Sequence, residues 1–284
     1  MGTSDSAAQL VALRTLRLAS GQVAMTWLGQ ASFAIRANDC LLLIDPFLSD
    51  HPERVVPTPF SGHQATDVNA VLCTHEHLDH FDADAVKDIA AASPQARIVV
   101  PRPMVPLVTQ LGIETSRVVG AQPGDSIRFD GVTVEPVPAM HGLEVEDGYT
   151  FGHAQSDGLY RFLGYIIDAG GTRVYHAGDT VVYPDMADRL RAAHIDVALL
   201  PINGRDPERE ALGLVGNMDH REAVTLAAAV DADVLIPMHW DMFPSNPGFP
   251  GRVIELATEE YPYLTVVFPA RGRPWIYTGA TARQ

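Results

Sequence analysis

Four metal-competent side chains within six residues, His75, His77, Asp79 and His80, constrain this chain more than any other feature. They fall in Thr74-His75-Glu76-His77-Leu78-Asp79-His80, after a short apolar run at 70–73 and before a segment, 83–92, that Asp82 caps as a helix. On a tight turn the i, i+2 spacing lets His75 and His77 converge on one ion, while Asp79 and His80 point at a second. Imidazole nitrogen and carboxylate oxygen suit Zn, Mn or Fe.

Around this turn the pattern alternates between strand and helix. Strands are expected at 23–28, 31–36 and 40–44, the last two joined by the hairpin signal Asn38-Asp39 and stopped by Asp45-Pro46. Residues 49–67 carry several prolines and no periodicity, a long loop of the kind that often serves as a lid. The spacing then predicts a strand at 97–100 and a helix at 103–111 closed by Gly112. Hairpins follow at 126–129/132–137, through Asp130-Gly131, and at 162–168/172–176, through Gly170-Gly171. The final third predicts helices at 184–193, 221–230 and 253–260 and strands at 197–200, 234–237 and 264–268. Asp219 with Glu222 three residues on reads as a capping box. Strand-rich stretches separated by helices give an α/β sandwich, two sheets covered by helices. No linker, low-complexity tract or repeat interrupts it, so one domain over 1–284 is expected, and 46% hydrophobic residues suffice for its core.

Charge limits the partners. Thirty-five acidic against twenty basic residues leave a net charge of −15. That argues against a nucleic-acid groove, which neutralises phosphates with Lys and Arg, and against an anionic membrane surface. No apolar run approaches the roughly 18 residues of a membrane span. Cys40 and Cys73, each inside an apolar run, suggest a reducing compartment, and residues 1–20 lack the apolar stretch of a signal peptide, so a cytoplasmic location is expected. The expected partner is a small-molecule substrate, and a homo-oligomer is compatible with the sequence.

The cluster and its surroundings resemble the metallo-β-lactamase superfamily over nearly the whole chain. The motifs recur in order: Asp45 at a strand end, His75-x-His77-x-Asp79-His80, His141 after Val-Pro-Ala-Met, Asp179 in His-Ala-Gly-Asp-Thr, and His239 after Leu-Ile-Pro-Met. Residues 24–30, 171–180 and 195–199 are similar to the branch that contains ascorbate-6-phosphate lactonase. The resemblance implies an αββα four-layer sandwich with its site at one edge between the sheets. It implies that His75, His77 and His141 hold one divalent ion, that Asp79, His80 and His239 hold a second, and that Asp179 bridges both, with a water or hydroxide between them. Zn or Mn is expected, and Fe is compatible. Asp79 is the catalytic candidate, as an orienter or proton shuttle for that water rather than a plain ligand. Asp45 is expected to accept the second N–H of a metal-bound histidine.

The chemistry implied is hydrolysis of a small lactone, ester or phosphoester by metal-bound hydroxide. An iron-binding redox member of the superfamily is one alternative; such members usually carry Glu where His77 stands. A nucleic-acid-processing hydrolase is another, opposed by the charge. A metal-binding protein without turnover is a third. His51 and His63 fall in the long loop, His194 is expected at the surface, His176 buried and hydrogen-bonded, and His153 rivals His141 for the third motif. His220 at a helix start, with Asn203 and Arg205 after a strand, are candidates for substrate contact. Loops 49–67, 143–160 and 201–218 are expected to shape the pocket.

Overall fold

Strand alternation distributes the apolar residues between two interfaces. The computed structural model describes residues 10, 12–142 and 158–279. In β1 (Gln22–Gly29), Val23, Met25 and Trp27 join one buried cluster while Ala24 and Leu28 join another. β3 (Cys40–Ile44) repeats the division, with Cys40, Leu42 and Ile44 on one face and Leu41 and Leu43 on the other. A side-chain period of two with apolar residues at every position means that both faces of the sheet are covered.

That sheet also contains β2 (Ser32–Ala37), β4 (Ala70–Leu72), β5 (Arg97–Pro101), β6 (Val118–Ala121) and β14 (Trp275–Thr278), in the order β14-β1-β2-β3-β4-β5-β6. The second sheet is built from β7 (Ile127–Phe129), β8 (Val132–Pro138), β9 (Leu163–Ala169), β10 (Thr172–His176), β11 (Val197–Pro201), β12 (Val234–Met238) and β13 (Thr265–Val266), in the order β13-β12-β11-β10-β9-β8-β7. Each sheet is antiparallel over four strands, β14-β1-β2-β3 and β7-β8-β9-β10, and parallel beyond them, at β3-β4-β5-β6 and β10-β11-β12-β13. Residues of both sheets, among them Phe33, Ile35, Tyr165 and Val174, share the larger core cluster.

Helices close the outer faces. α1 (Ala83–Ala92) lays Ala85, Val86, Ile89 and Ala90 on the outer face of the first sheet. Its cap, Asp82, is buried and accepts from Ala85 N–H, from Leu48 and Ser49 N–H and from Ser49 Oγ, so one carboxylate ties the helix start to the chain leaving β3. Beside it lies α2 (Val105–Gln110). Over the second sheet, α3 (Met186–Ala192), α5 (His220–Ala229) and α6 (Pro250–Glu260) bury Leu190, Val224 and Val253, among others. The short α4 (Pro207–Ala211) precedes α5. The result is the αββα sandwich, and among the described residues no helix is long and apolar enough to cross a membrane.

Five elements differ from the sequence expectation. β6 was not expected; its Val-Val-Gly-Ala is too short to show periodicity. At Gly120 a Cβ would lie 2.9 Å from Val105 and 3.1 Å from Arg102 side-chain atoms, so this strand packs closer than a side chain there allows. β14 was also unexpected, because its partner β1 is some 250 residues away and no local signal marks it. The expected helix at 103–111 is a 3-10 turn, Arg102–Met104, followed by α2, with Pro103 and Pro106 removing two N–H donors. The strand expected at 264–268 shrinks to Thr265–Val266, and the loop 201–218 contains α4.

Cys40 and Cys73 are both free and buried. Burial, helped by Asp130, pushes the Cys40 thiol up to about 12, and burial holds Cys73 well above its ordinary value. Neither thiol should react with a disulfide reagent at pH 8 in the folded protein, and both should react in denaturant. Rapid labelling under native conditions would show that the first sheet opens.

Candidate metal centre

Every member of the His/Asp cluster leaves the carboxyl end of a strand, the end at which α/β sheets bind ligands. Asp45 follows β3, the His75–His80 turn follows β4, His141 follows β8, Asp179 follows β10 and His239 follows β12. Asp45 (φ 45°) and His239 (φ 60°) stand in the left-handed region, which non-glycine residues rarely adopt and which concentrates at functional sites. Gly178 (φ 61°) supplies the same turn before Asp179; a Cβ there would sit 2.9 Å from the Leu163 carbonyl oxygen and 2.8 Å from Thr74 Cβ. The His141 loop is fixed by Val181 N–H to Met140 O at 2.8 Å, Met140 N–H to Thr180 Oγ1 at 2.9 Å and Gly142 N–H to Gly216 O at 3.1 Å.

The donors converge in overlapping groups. His77 Nδ1 lies 2.9 Å from His75 Nε2 and 3.3 Å from His141 Nε2. His239 Nε2 lies 3.4 Å from His80 Nε2 and 3.3 Å from Asp79 Oδ2. Asp179 joins them, with Oδ1 3.3 Å from His80 Nε2 and Oδ2 3.2 Å from His239 Nε2 and 3.7 Å from His141 Nε2. The sets His75/His77/His141, His75/His80/Asp179 and Asp79/His80/His239 each offer donor atoms within 4.8 Å of one another. Imidazole acceptors this close need a proton or a cation between them. Tetrahedral coordination at about 2.05 Å would space its ligand atoms about 3.3 Å apart. These residues therefore fit divalent ions by donor chemistry and by spacing.

A buried carboxylate sets the tautomers. Asp45, 0% exposed, accepts from Thr74 N–H at 2.8 Å, from Thr74 Oγ1 at 2.7 Å and from His80 Nδ1 at 2.7 Å. Because Thr74 Oγ1 gives its proton to Asp45, it accepts from His75 Nδ1 at 3.1 Å. Both histidines thus carry a proton on Nδ1 and turn Nε2 toward the cluster, one in each group. Asp45 thus accepts an imidazole N–H of one clustered histidine and, through Thr74, supports a second.

The groups differ electrostatically. Burial, with neighbouring histidines adding to it, holds His75 well below its ordinary value, and burial brings His141 down to about 3 against the pull of Asp179. Burial lowers His77 as well, despite Asp79 and Asp179. Burial would also lower His239 and His80, but Asp179 and Asp79 outweigh it, lifting His239 to about 9 and His80 well above its usual range. Those imidazoles in turn outweigh burial at Asp179 and hold its carboxyl well below the carboxylate range. The surroundings thus favour the neutral, cation-ready form of the first group and the protonated form of the second.

His77, Asp79, His141, Asp179 and His239 face a cavity of about 220 Å³, completed by His51, Glu53, Gly213, Leu214, Val215, Phe243, Ser245 and Asn246. A larger groove, about 630 Å³ between Tyr261, Tyr263 and Tyr277, has no histidine among its described lining residues. His51 thus reaches the cavity, while His63 faces Asp88 at 3.1 Å. His176 is buried, donating from Nε2 to Ala31 O at 2.7 Å and accepting Gly178 N–H at 3.2 Å, as expected. His153 and most of loop 143–160 lie outside the described residues. His220 and Arg205 are not among the described residues that line the cavity, and Arg205 donates to both oxygens of Glu222, each at 2.7 Å. Asn203 stands one step behind the cavity wall, its Nδ2 3.1 Å from Asn246 Oδ1.

Gln30 escaped the sequence reading. It follows β1 with φ 53° and is buried, and its Nε2 donates to Asp79 Oδ2 at 2.8 Å. Its carbonyl accepts from Trp27 Nε1 and from His239 N–H, both at 3.0 Å, so it links the end of the first sheet to the end of the second. The left-handed turn Gly29-Gln30 was its only local signal.

Three outcomes follow. Loading an ion onto Asp79, His80 and His239 displaces protons at pH 7, whereas loading His75, His77 and His141 does not. Calorimetric titration in buffers of different ionisation enthalpy should separate the two steps. In the ion-free chain the His239 proton stabilises the fold fully below 6.5, and that stability is lost as pH rises through about 9; the unfolding midpoint should fall there, and less in ion-loaded protein. Gly178→Ala should lower stability by about 1–3 kcal/mol in denaturant titration, the usual cost of a strained backbone position. An unchanged midpoint would mean that the turn relaxes freely.

Comparison with known proteins identifies the family. The beta-lactamase superfamily domain matches residues 41–240. A UPF0173 metal-dependent hydrolase of Rubrobacter xylanophilus is 33% identical over 234 residues, 81% of this chain and 86% of that protein. Its counterpart in Archaeoglobus fulgidus is 33% identical over 220 residues, 78% and 84% of the two chains. The solved structure of a metallo-hydrolase from Ignicoccus hospitalis superposes with a TM-score of 0.69 at 23% identity, covering 90% of this chain and 98% of the other. The chain belongs to the beta-lactamase superfamily, and within it to the UPF0173 metal-dependent hydrolases.

Proposed function

We propose that the enzyme is a dinuclear hydrolase of small lactones, esters or phosphoesters, with His75, His77 and His141 holding one divalent ion, Asp79, His80 and His239 the other, and Asp179 shared. The observation that carries this reading is the position of Asp179, whose carboxylate oxygens lie 3.2–3.7 Å from histidines of both groups. Zn or Mn suits the donors. Divalent ions in these positions supply Lewis acidity and bring the pKa of water they bind toward ~7.

The chain's own residues do the rest. Asp45 and Thr74 hold the rings of His75 and His80 in one tautomer, so each Nε2 is presented without rotation. Gln30 clamps Asp79 Oδ2, and Asp79 lines the cavity. In that place it takes the proton that the attacking water loses as its oxygen bonds to the acyl or phosphoryl centre. As the bond to the leaving oxygen breaks, the same carboxyl returns the proton to it. Leu214, Val215 and Phe243 limit the water around this transfer. Buried thiols and the acidic surface support a cytoplasmic enzyme with a small-molecule substrate.

Asp179→Ala tests the assignment. Turnover should fall by at least three orders of magnitude and bound metal should drop from two equivalents to one or fewer. The circular-dichroism signal should persist, because the core is large enough without metal. Unchanged turnover would remove Asp179 from the centre, and unfolding together with metal loss would make the site structural.

A further inference from the structure

We propose that the cavity selects uncharged substrates and discriminates against compounds that carry a phosphate or carboxylate away from the scissile bond. The inference rests on the hydrolytic reading above and narrows its substrate class.

The wall beyond the His/Asp floor is apolar at Leu214, Val215 and Phe243 and polar but neutral at Ser245 and Asn246; its one carboxylate outside the floor among the described residues is Glu53. Asn246 Oδ1 is taken by Asn203 Nδ2 and by Arg209 Nη1 at 2.8 Å, so the edge it keeps for a ligand is its Nδ2 donor, suited to a neutral carbonyl or ether oxygen.

The guanidinium groups nearby are committed elsewhere. Arg209 donates to Asp206 and to Asn203 O. Arg205 is bidentate to Glu222, Arg271 pairs with Asp241 at 2.7 Å, and Arg161 pairs with Glu76. Arg54, next to Glu53, is held by the carbonyls of Phe47, Ser49 and Val56 and lies over the Phe47 ring; its buried Nη2 has no hydrogen-bond partner, but Arg54 is not among the residues that line the cavity.

An anionic group entering this cavity would lose water without gaining a guanidinium, and would face Glu53. Ions at the floor act on the reacting oxygen, several ångströms from a remote substituent. The volume, about 220 Å³, is below the roughly 300–1,000 Å³ typical of drug-sized ligand sites, so the substrate is compact. A short-chain lactone or ester with an apolar substituent fits these terms better than a sugar phosphate.

The test uses matched pairs at constant ionic strength with metal-loaded enzyme: 4-nitrophenyl butyrate against 4-nitrophenyl hemisuccinate, and an alkyl γ-lactone against the same lactone bearing a terminal phosphate. Inert amide analogues of each pair are compared for binding by ligand-observed NMR. We expect kcat/KM at least tenfold higher for the neutral members, with most of the difference in KM, and the same order in binding. Glu53→Gln should narrow the ratio and Glu53→Lys should narrow it further. Absence of turnover in every arm with the binding preference intact would remove the hydrolytic reading and leave the selectivity standing. Charged members bound and processed as well as neutral ones, or ratios unmoved by either Glu53 variant, would overturn the selectivity.

Discussion

The hydrogen bonds received by Asp45 are the constraint on which the centre depends. A carboxylate with no exposure, at the end of a strand, has to be satisfied by the protein itself. It takes three bonds, two from Thr74 and one from His80. The hydroxyl that serves it becomes the acceptor for His75. One buried charge thereby determines the proton position on a histidine in each donor group. The cost of desolvating it is recovered in preorganisation, because rings held by such bonds need no reorientation to meet a cation.

The same economy shapes the backbone. Gln30, Asp45 and His239 adopt left-handed conformations at the ends of three strands from two sheets. Each such residue costs on the order of 1–3 kcal/mol and persists only where surrounding bonds determine it. Here the bonds are mutual: His239 N–H reaches Gln30 O, and Asp241 Oδ1 accepts Gln30 N–H at 2.8 Å. Docking of the two sheets and construction of the site are one event in energetic terms. The large core supplies the stability that these strained corners consume.

Much of this was legible from local chemistry. The helix 83–92 was recognisable by its Asp82 cap, the 40–44 strand by its apolar run, and the His/Asp cluster by a spacing that chance rarely produces. The fold elements that escaped share a cause: β14 exists because a distant strand offers an unpaired edge, and β6 because β5 offers one and Arg102 and Val105 leave room for a glycine. Gln30 escaped because an amide carries no signature of its own; its importance arises from where Asp79 and His239 stand. Arg205 shows the converse. A basic residue after a strand looks available until its partner, Glu222, seventeen residues on, is brought beside it by the capping box of α5.

The pairing of β14 with β1 joins Met25 to Trp275 and Gln22 to Thr278. A ribosome delivers these strands in the reverse of the order the sheet would prefer. β1, buried along nearly its whole length, is made well before β14 and keeps an open edge until β14 arrives to cover it. In that interval the edge is a template onto which another nascent chain can add a strand. The enzyme's yield in a cell is therefore sensitive to how fast the stretch between β1 and β14 is translated, and to any chaperone that shelters β1 in the interval.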